Sequence, residues 1–260
     1  GLFLSAKWFI LSQIALKGTH LVVLPDSDNA EYCSSDLYSL IEGDKVFFLP
    51  ASGRKVEKSN YKSSLGVQRT SAIGKIIERD PSSMDALIIV TYPEALEEKI
   101  PSSGKIKQSV LKLKKGDEIS YDDIKKVLFD NKFDRVDFVS APGQYTIRGS
   151  IVDIFSYSDN NPYRISFFGN EIEKISVFNC NTQLSVETRD EIEIFPDLVS
   201  EEDSEESSII DILPSDTVVW MDSYDMYSDS EFIKDYSSFQ KIFIDTPMSV
   251  STEDTVRFNI

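Results

Sequence analysis

The chain has 260 residues, of which 41% are hydrophobic and 27% charged, a composition typical of globular proteins. Its formal net charge is −17. Duplex nucleic acid is bound through cationic surfaces, so this charge argues against duplex binding and favours a protein partner. No apolar stretch is long enough to span a bilayer, so we expect no membrane partner. Cys33 and Cys180 stand in no metal-binding spacing, which indicates reduced thiols in a cytoplasmic protein.

Helix and strand patterns alternate over residues 1–100. The apolar stretch from Ser5 to Leu16 predicts a buried helix and not a signal peptide, because it lacks a basic leader and a cleavage site. Short apolar strands separated by helices predict a parallel sheet that is covered on both faces. Strands are expected at 20–25, 45–50 and 86–92, and helices at 26–41, at 66–80 and from Pro93.

The pattern changes after a transitional segment that holds a strand with a turn (109–120) and a capped amphipathic helix (120–133). Strands separated by Pro-Gly and Gly-Asn turns then follow to residue 197, which predicts an antiparallel β module. We expect this module to be inserted into an α/β domain. The predicted boundaries are 1–130 for the α/β domain, 131–198 for the module, 199–208 for an acidic linker and 209–260 for the return to the α/β domain.

No catalytic constellation is evident in the sequence. A phosphate-binding loop needs glycines and a Lys-Ser/Thr pair, but "GLFLSAKWFI" has one glycine, and Trp8 follows Lys7. We therefore expect Lys7 to be a solvated or snorkelling helix residue and Asp222, after the apolar "VVWM", to mark a strand end. His20, the only histidine, is expected to be structural. The prediction is a non-enzymatic segment without a cofactor or a metal site.

The stretch "PYRISFF" (162–168) raises a different possibility. Its alternation directs Ile165 and Phe167 towards a core and places Arg164 and Phe168 on the opposite face. Arginine and aromatic residues on an exposed strand face are typical of protein-binding hot spots. Two alternatives remain open: Phe168 packs on a neighbouring loop or on the α/β domain, and Arg164 forms a salt bridge with Glu171 or Glu173.

These strands resemble the module that bacterial transcription-repair coupling factors (Mfd) share with the excision-repair protein UvrB. The matching residues are Tyr145, Arg148-Gly149, Ile151–Phe155, Arg164, Phe167-Phe168, Glu171–Glu173 and Thr182-Gln183. The missing phosphate loop favours the N-terminal region of the coupling factor, whose α/β domain resembles a degenerate, RecA-like helicase domain.

The resemblance implies that the module docks UvrA through Arg148, Arg164 and Phe168. It also implies that the full-length protein contacts RNA polymerase and DNA and carries an ATP-dependent translocase downstream. Two residues depart from the family pattern, Ser176 and Leu184, which stand where the family often has arginine. They predict a less basic surface.

Two other functions remain as alternatives. One is a UvrB-like ATP-dependent DNA repair or helicase domain, against which the missing phosphate loop argues. The other is a β module that binds single-stranded nucleic acid through exposed aromatic residues, against which the net charge of −17 argues.

Overall fold

Helices and strands alternate over the first part of the chain, and strands dominate after the sixth helix. The computed structural model describes residues 2–52, 60–80, 82–198, 206–222, 236–244 and 255–257. Up to residue 114 the elements are α1 (Leu2–Ile14), β1 (Gly18–Val23), α2 (Ser27–Leu40), β2 (Val46–Phe48), α3 (Asn60–Glu78), β3 (Ala86–Thr91), α4 (Pro93–Glu97), β4 (Ile100–Pro101), α5 (Ser103–Ser109) and β5 (Leu111–Lys114). The later elements are α6 (Tyr121–Asp130), β6 (Asp134–Arg135), β7 (Gln144–Arg148), β8 (Ile151–Ile154), β9 (Tyr163–Phe168), β10 (Glu171–Phe178), β11 (Ser185–Arg189), β12 (Glu191–Ile194), β13 (Glu206–Ser207), α7 (Ile209–Ile212), β14 (Val218–Met221), β15 (Gln240–Phe243) and β16 (Thr255–Arg257).

The chain divides into two compact units. The first contains residues 1–52, 72–100 and 207–260, and the second contains residues 53–71 and 101–206. Within the first unit, six strands form a parallel sheet in the order β16-β15-β14-β1-β3-β2. All six residues of β3 are buried, as expected of a parallel strand covered on both faces. The predicted parallel sheet is therefore confirmed.

Local sequence signals explain where the helices of this sheet lie. The Asp26 carboxylate caps α2 by accepting a hydrogen bond from the Asn29 N–H at 2.9 Å. Helix α1 ends at Ile14, two residues before the predicted end, and packs Trp8 and Leu11 into the core of the sheet. Burial of this apolar side, more than any capping residue, holds the helix.

The second unit is built on a sheet in the order β11-β10-β9-β8-β7-β6. It is antiparallel except for the short parallel pair β6–β7. Strand β12 pairs instead with β5, which lies before the module predicted from the sequence. Residues 101–130 are predicted in the α/β domain, but the structure groups them with the β sheet, together with residues 60–71. The physical reason is a shared core, because Leu113 and Leu128 pack into the same apolar cluster as Ile165 and Phe167.

Two further observations concern the ends of this unit. Helix α5 was not predicted, since its short sequence has few apolar residues. Most of the predicted acidic linker, residues 199–205, lies outside the described residues, and Glu206–Ser207 form the short strand β13.

Lys7 is not the solvated or snorkelling residue that the sequence predicted, but forms an ion pair within the protein. Its Nζ atom lies 3.0 Å from Oδ1 of Asp222, and its side chain is only 11% exposed. Asp222 directly follows β14 and thus marks a strand end, as expected, but it also carries this ion pair. The prediction was wrong because a single-sequence pattern does not show that the parallel sheet places α1 beside the end of β14.

His20 has the structural role that was predicted. The Trp220 indole N–H donates to Nδ1 of His20 at 3.0 Å, so the other ring nitrogen, Nε2, carries the proton and donates to the Lys17 carbonyl at 2.8 Å. Burial lowers the pKa of His20 below its ordinary value of 6.5, although the hydrogen bond to Lys17 opposes this shift. The folded state therefore favours the neutral form of the His20 imidazole.

This pKa can be measured directly, because the chain has one histidine. We expect NMR titration of the folded protein to give a midpoint below 6.5 and nitrogen shifts typical of an Nε2–H tautomer. An unfolded chain takes up this proton at higher pH than the folded one. His20 therefore stabilises the fold fully above pH 6.5, and this contribution is lost as the pH falls through the folded pKa.

The matched variant for this titration is Trp220→Phe, which removes the donor to Nδ1. It should raise the His20 pKa, because the hydrogen bond from the indole favours the neutral ring. A wild-type midpoint at or above 6.5 would contradict the buried, neutral assignment.

Candidate protein-binding site

Strand β9 separates a core face from an exposed face. Ile165 and Phe167 are 0% and 4% exposed, whereas Phe168 is 79% exposed. The alternation predicted from "PYRISFF" is therefore confirmed. The following two residues, Gly169 and Asn170, form the turn into β10, and Gly169 has a φ of +63°. Glycine adopts this conformation without strain, and as the first residue of a two-residue hairpin turn it fixes the register that exposes Phe168.

The register of the strands brings both predicted arginines to the same face. Asp153 of β8 lies directly opposite Arg164 of β9, and Arg148 of β7 pairs with Ile151, two residues before Asp153. Residues directly opposite each other, and residues two apart along a strand, share a face. We call the side of the sheet that carries Arg148, Asp153, Arg164 and Phe168 the arginine face.

The carboxylate of Asp153 joins the two arginines. Its Oδ1 accepts from Nε of Arg164 at 2.8 Å, and its Oδ2 accepts from Nη2 of Arg164 at 2.9 Å and from Nη2 of Arg148 at 2.8 Å. Asp153 is 1% exposed, and a buried carboxylate is strongly unfavourable unless cations and donors surround it. The hydrogen bonds to Asp153 also raise the pKa of the Arg164 guanidinium above its ordinary value.

Arg164 is held on two further sides. Its guanidinium carbon lies 4.3 Å from the ring centroid of Phe178, an arrangement typical of a cation–π contact. Gln183 accepts from Nη2 through its side-chain oxygen at 3.1 Å and from Nη1 through its carbonyl at 3.3 Å. Gln183 has a φ of +58°, and its N–H donates to the Asn179 carbonyl at 2.8 Å. The β10–β11 loop therefore folds over Arg164, whose guanidinium in turn lies on the Phe178 ring.

Arg148 lies in a more open environment. Its guanidinium carbon is 5.1 Å from the ring centroid of Phe138, and its side chain is 43% exposed. Phe138 itself is 64% exposed. The alternative partners that the sequence offered for Arg164, Glu171 and Glu173, are not used, since Asp153 takes that place.

The two departures from the family pattern have different surroundings. Ser176 lies directly opposite Arg164 in the sheet and is only 4% exposed, whereas Leu184 is 68% exposed. Neither adds a positive charge to the arginine face, and Leu184 adds apolar surface beside the loop that holds Arg164.

Sequence reasoning missed three residues of this site: Phe138, Asp153 and Gln183. A signal for Asp153 was present, because a lone carboxylate inside the apolar strand "IVDIF" needs a cation when that strand is buried. Gln183 belongs to the Thr-Gln pair of the family pattern, but its contact with Arg164 depends on the loop conformation. Phe138 gave no signal beyond its alternation in "VDFVS".

Other kinds of site are not found in the described parts of the chain. No group of three or more His, Cys, Asp or Glu side chains is placed to hold a metal ion. No helix within the described ranges is both long and apolar enough to cross a membrane.

Comparisons with known proteins show what this chain is similar to. Residues 111–198 match the UvrB interaction domain. The chain is 32% identical over 168 residues to the transcription-repair-coupling factor of Bacillus subtilis, an alignment that covers 64% of the chain and 14% of that protein. It is 26% identical over 182 residues to the same factor of Borreliella burgdorferi, which covers 68% of the chain and 16% of the factor.

The chain is also similar in sequence to UvrB proteins. It is 30% identical over 169 residues to the UvrABC system protein B of Streptococcus suis, which covers 64% of the chain and 25% of that protein. The chain thus matches only a small part of each of these relatives. The resemblance to coupling factors and UvrB that the sequence predicted is confirmed. The matched domain begins at residue 111, which is the first residue of β5.

The two adjacent phenylalanines of β9 give a stability test of the arginine face. We expect Phe168→Ala to change the free energy of unfolding by about 0.5 kcal/mol or less, because its side chain is solvent-exposed. Phe167→Ala should cost about 3–5 kcal/mol, because it leaves a cavity in the core of the sheet. Urea unfolding of both variants measures the difference, and equal losses would show that Phe168 is packed in solution.

Proposed function

We propose that this chain is a non-catalytic protein-interaction region of a transcription-repair coupling factor and that it docks UvrA through the arginine face. The observation that carries the proposal is Phe168, which is 79% exposed on the same face as two arginines held by one buried carboxylate. This face lies in the segment that matches the UvrB interaction domain. The named relatives are a repair-coupling factor and a component of the UvrABC system, which supports a role in DNA repair.

The geometry suits protein binding for a physical reason. Aromatic and arginine side chains carry much of the binding free energy at protein interfaces. Asp153 holds the two guanidiniums in place before any partner arrives, and the hairpin turn at Gly169 does the same for the end of β9. A preformed surface loses less conformational entropy on binding, so more of the contact energy appears as affinity.

The finer parts of the proposal concern the longer protein. The resemblance implies RNA polymerase and DNA as further partners of a full-length coupling factor and a translocase activity elsewhere in it. Because the chain matches 14% of the B. subtilis factor, those activities are proposed for the whole protein and not for this region. A cytoplasmic location follows from the same proposal, since its partners act on bacterial chromosomal DNA.

Binding to UvrA of the same organism tests the proposal. Phe168→Ala should weaken the complex by about 2 kcal/mol, or roughly 30-fold in Kd, as expected of an exposed aromatic anchor. The matched control is Phe129→Ala. Phe129 is 77% exposed on α6, whose buried residues pack on the opposite face of the sheet. Isothermal titration of the wild type and both variants gives the three affinities.

Two outcomes of this titration would contradict the proposal: full affinity of Phe168→Ala, or equal losses in Phe168→Ala and Phe129→Ala. A single-stranded oligonucleotide that binds at micromolar concentration and is lost in Phe168→Ala would instead support the nucleic-acid-binding alternative.

A UvrB-like ATPase is the second candidate function. One observation favours it: Lys7 and Asp222, residue types that hold phosphate and Mg²⁺ in ATPases, lie 3.0 Å apart beside the end of a parallel strand. However, their mutual ion pair occupies both charged groups, and no glycine-rich loop accompanies them in the sequence. Gly1, the one glycine near Lys7, lies outside the described residues. We therefore propose that the pair fastens α1 to the sheet.

Nucleotide titration separates the two functions. We expect no saturable binding of a fluorescent ATP analogue with Mg²⁺ at micromolar concentrations, because the sequence offers neither a phosphate cradle nor a hydroxyl for Mg²⁺. Lys7→Met should lower the melting temperature without changing this result, since it leaves Asp222 without its ion-pair partner. Saturable binding that Lys7→Met abolishes would support the ATPase instead.

A further inference from the structure

The two arginines of the arginine face differ in how many of their N–H groups remain for a partner. On the basis of the proposed function, we propose that Arg164 is a positioning residue and that Arg148, stacked on Phe138, is the cation that contacts the partner. We further propose that the partner presents a single carboxylate surrounded by apolar side chains.

Hydrogen bonds within the protein use almost all of the Arg164 donors. A guanidinium has five N–H groups, and Arg164 donates four hydrogen bonds, two to Asp153 and two to Gln183. One face of its guanidinium lies over Phe178, and its side chain is 21% exposed. Arg164 therefore cannot offer a paired, bidentate contact to a partner without breaking bonds to Asp153 or Gln183.

Arg148 has the opposite character. Among the described residues it donates one hydrogen bond, from Nη2 to Asp153, and its side chain is 43% exposed. Its remaining N–H groups can donate to a carboxylate in the bidentate geometry that guanidinium favours. The ring of Phe138, 5.1 Å away, supports the guanidinium from one side and is itself 64% exposed. A partner that reaches Arg148 would therefore also cover Phe138.

Charge and apolar surface together define the partner. Two guanidiniums and the Asp153 carboxylate leave one net positive charge in this cluster, and Ser176 and Leu184 add none. Four exposed apolar side chains lie in the same module: Phe138, Phe168, Leu184 and Val186. Such a surface fits one acidic side chain within an apolar patch better than it fits a densely acidic segment. The complex should thus depend only weakly on salt.

Affinity measurements with UvrA at about 0.05 M and about 0.3 M salt test this division of roles. At low salt, Arg148→Gln should weaken binding about 10-fold and Phe138→Ala about 5-fold. Phe138→Ala should melt close to the wild type, and Arg148→Gln should lower the melting temperature less than Arg164→Gln does, because Arg164 still donates two hydrogen bonds to Asp153. The loss in Arg148→Gln should shrink at high salt, because a charge contact is removed. Arg164→Gln should lower the melting temperature. Its loss in affinity should be the same at both salt concentrations, because the substitution displaces the neighbouring residues and removes no charge contact with UvrA.

Matched controls come from elsewhere in the same unit. Arg189→Gln removes an exposed guanidinium from β11 that pairs with Glu187, and Phe129→Ala removes an exposed ring from α6. Both should bind UvrA as the wild type does. Gln183→Ala removes one acceptor of Arg164 without removing a charge, so it should reproduce the salt-independent loss on a smaller scale, even if Arg164→Gln fails to fold.

A spectroscopic measurement tests the positioning role without UvrA. In the free protein the Arg164 Nε–H, bound to Asp153 at 2.8 Å, should exchange with water at least 10-fold more slowly than the Nε–H of Arg148. Equal exchange rates would overturn the positioning role. Wild-type affinity of both Arg148→Gln and Phe138→Ala would overturn the contact role. If Phe168→Ala still weakens binding in that case, the proposed function stands and this inference fails alone.

Discussion

The buried carboxylate of Asp153 is the constraint on which the arginine face depends. Burying a carboxylate to 1% exposure is strongly unfavourable unless cations surround it, and two guanidiniums converge on Asp153 from neighbouring strands. This one requirement gives Arg148 and Arg164 their positions and explains why an acidic chain keeps a local positive charge there. It also links the strand register to function, because a slip of one residue would turn Asp153 into the apolar core.

The opposite face of the sheet supplies the rigidity that the arginine face needs. Phe167 packs against the ring of Tyr121 from α6, with 4.9 Å between the ring centroids, and Ile165 is completely buried. Because side chains alternate along a strand, fixing Phe167 in the core directs Phe168 outwards. The exposed phenylalanine is thus a consequence of a well-packed core next to it.

Sequence patterns predicted the parallel sheet, the antiparallel sheet and the alternation of β9, because each depends on local periodicity and turn residues. They did not predict the contacts between distant segments. Lys7 and Asp222 meet through sheet topology, and β5 with α6 joins the β unit through a shared core. In the candidate site, the outward positions of Arg164 and Phe168 followed from the pattern. The unequal environments of Arg148 and Arg164 did not, since they depend on the conformation of the loop at Gln183.

Site-specific photo-crosslinking to UvrA tests most directly whether the arginine face is the docking surface. A benzophenone amino acid would replace Phe168 in one variant and Phe129, equally exposed on α6, in another. Our account predicts a crosslink to UvrA from position 168 and none from position 129, because α6 covers the opposite face of the sheet. A crosslink from position 129 together with none from position 168 would contradict it.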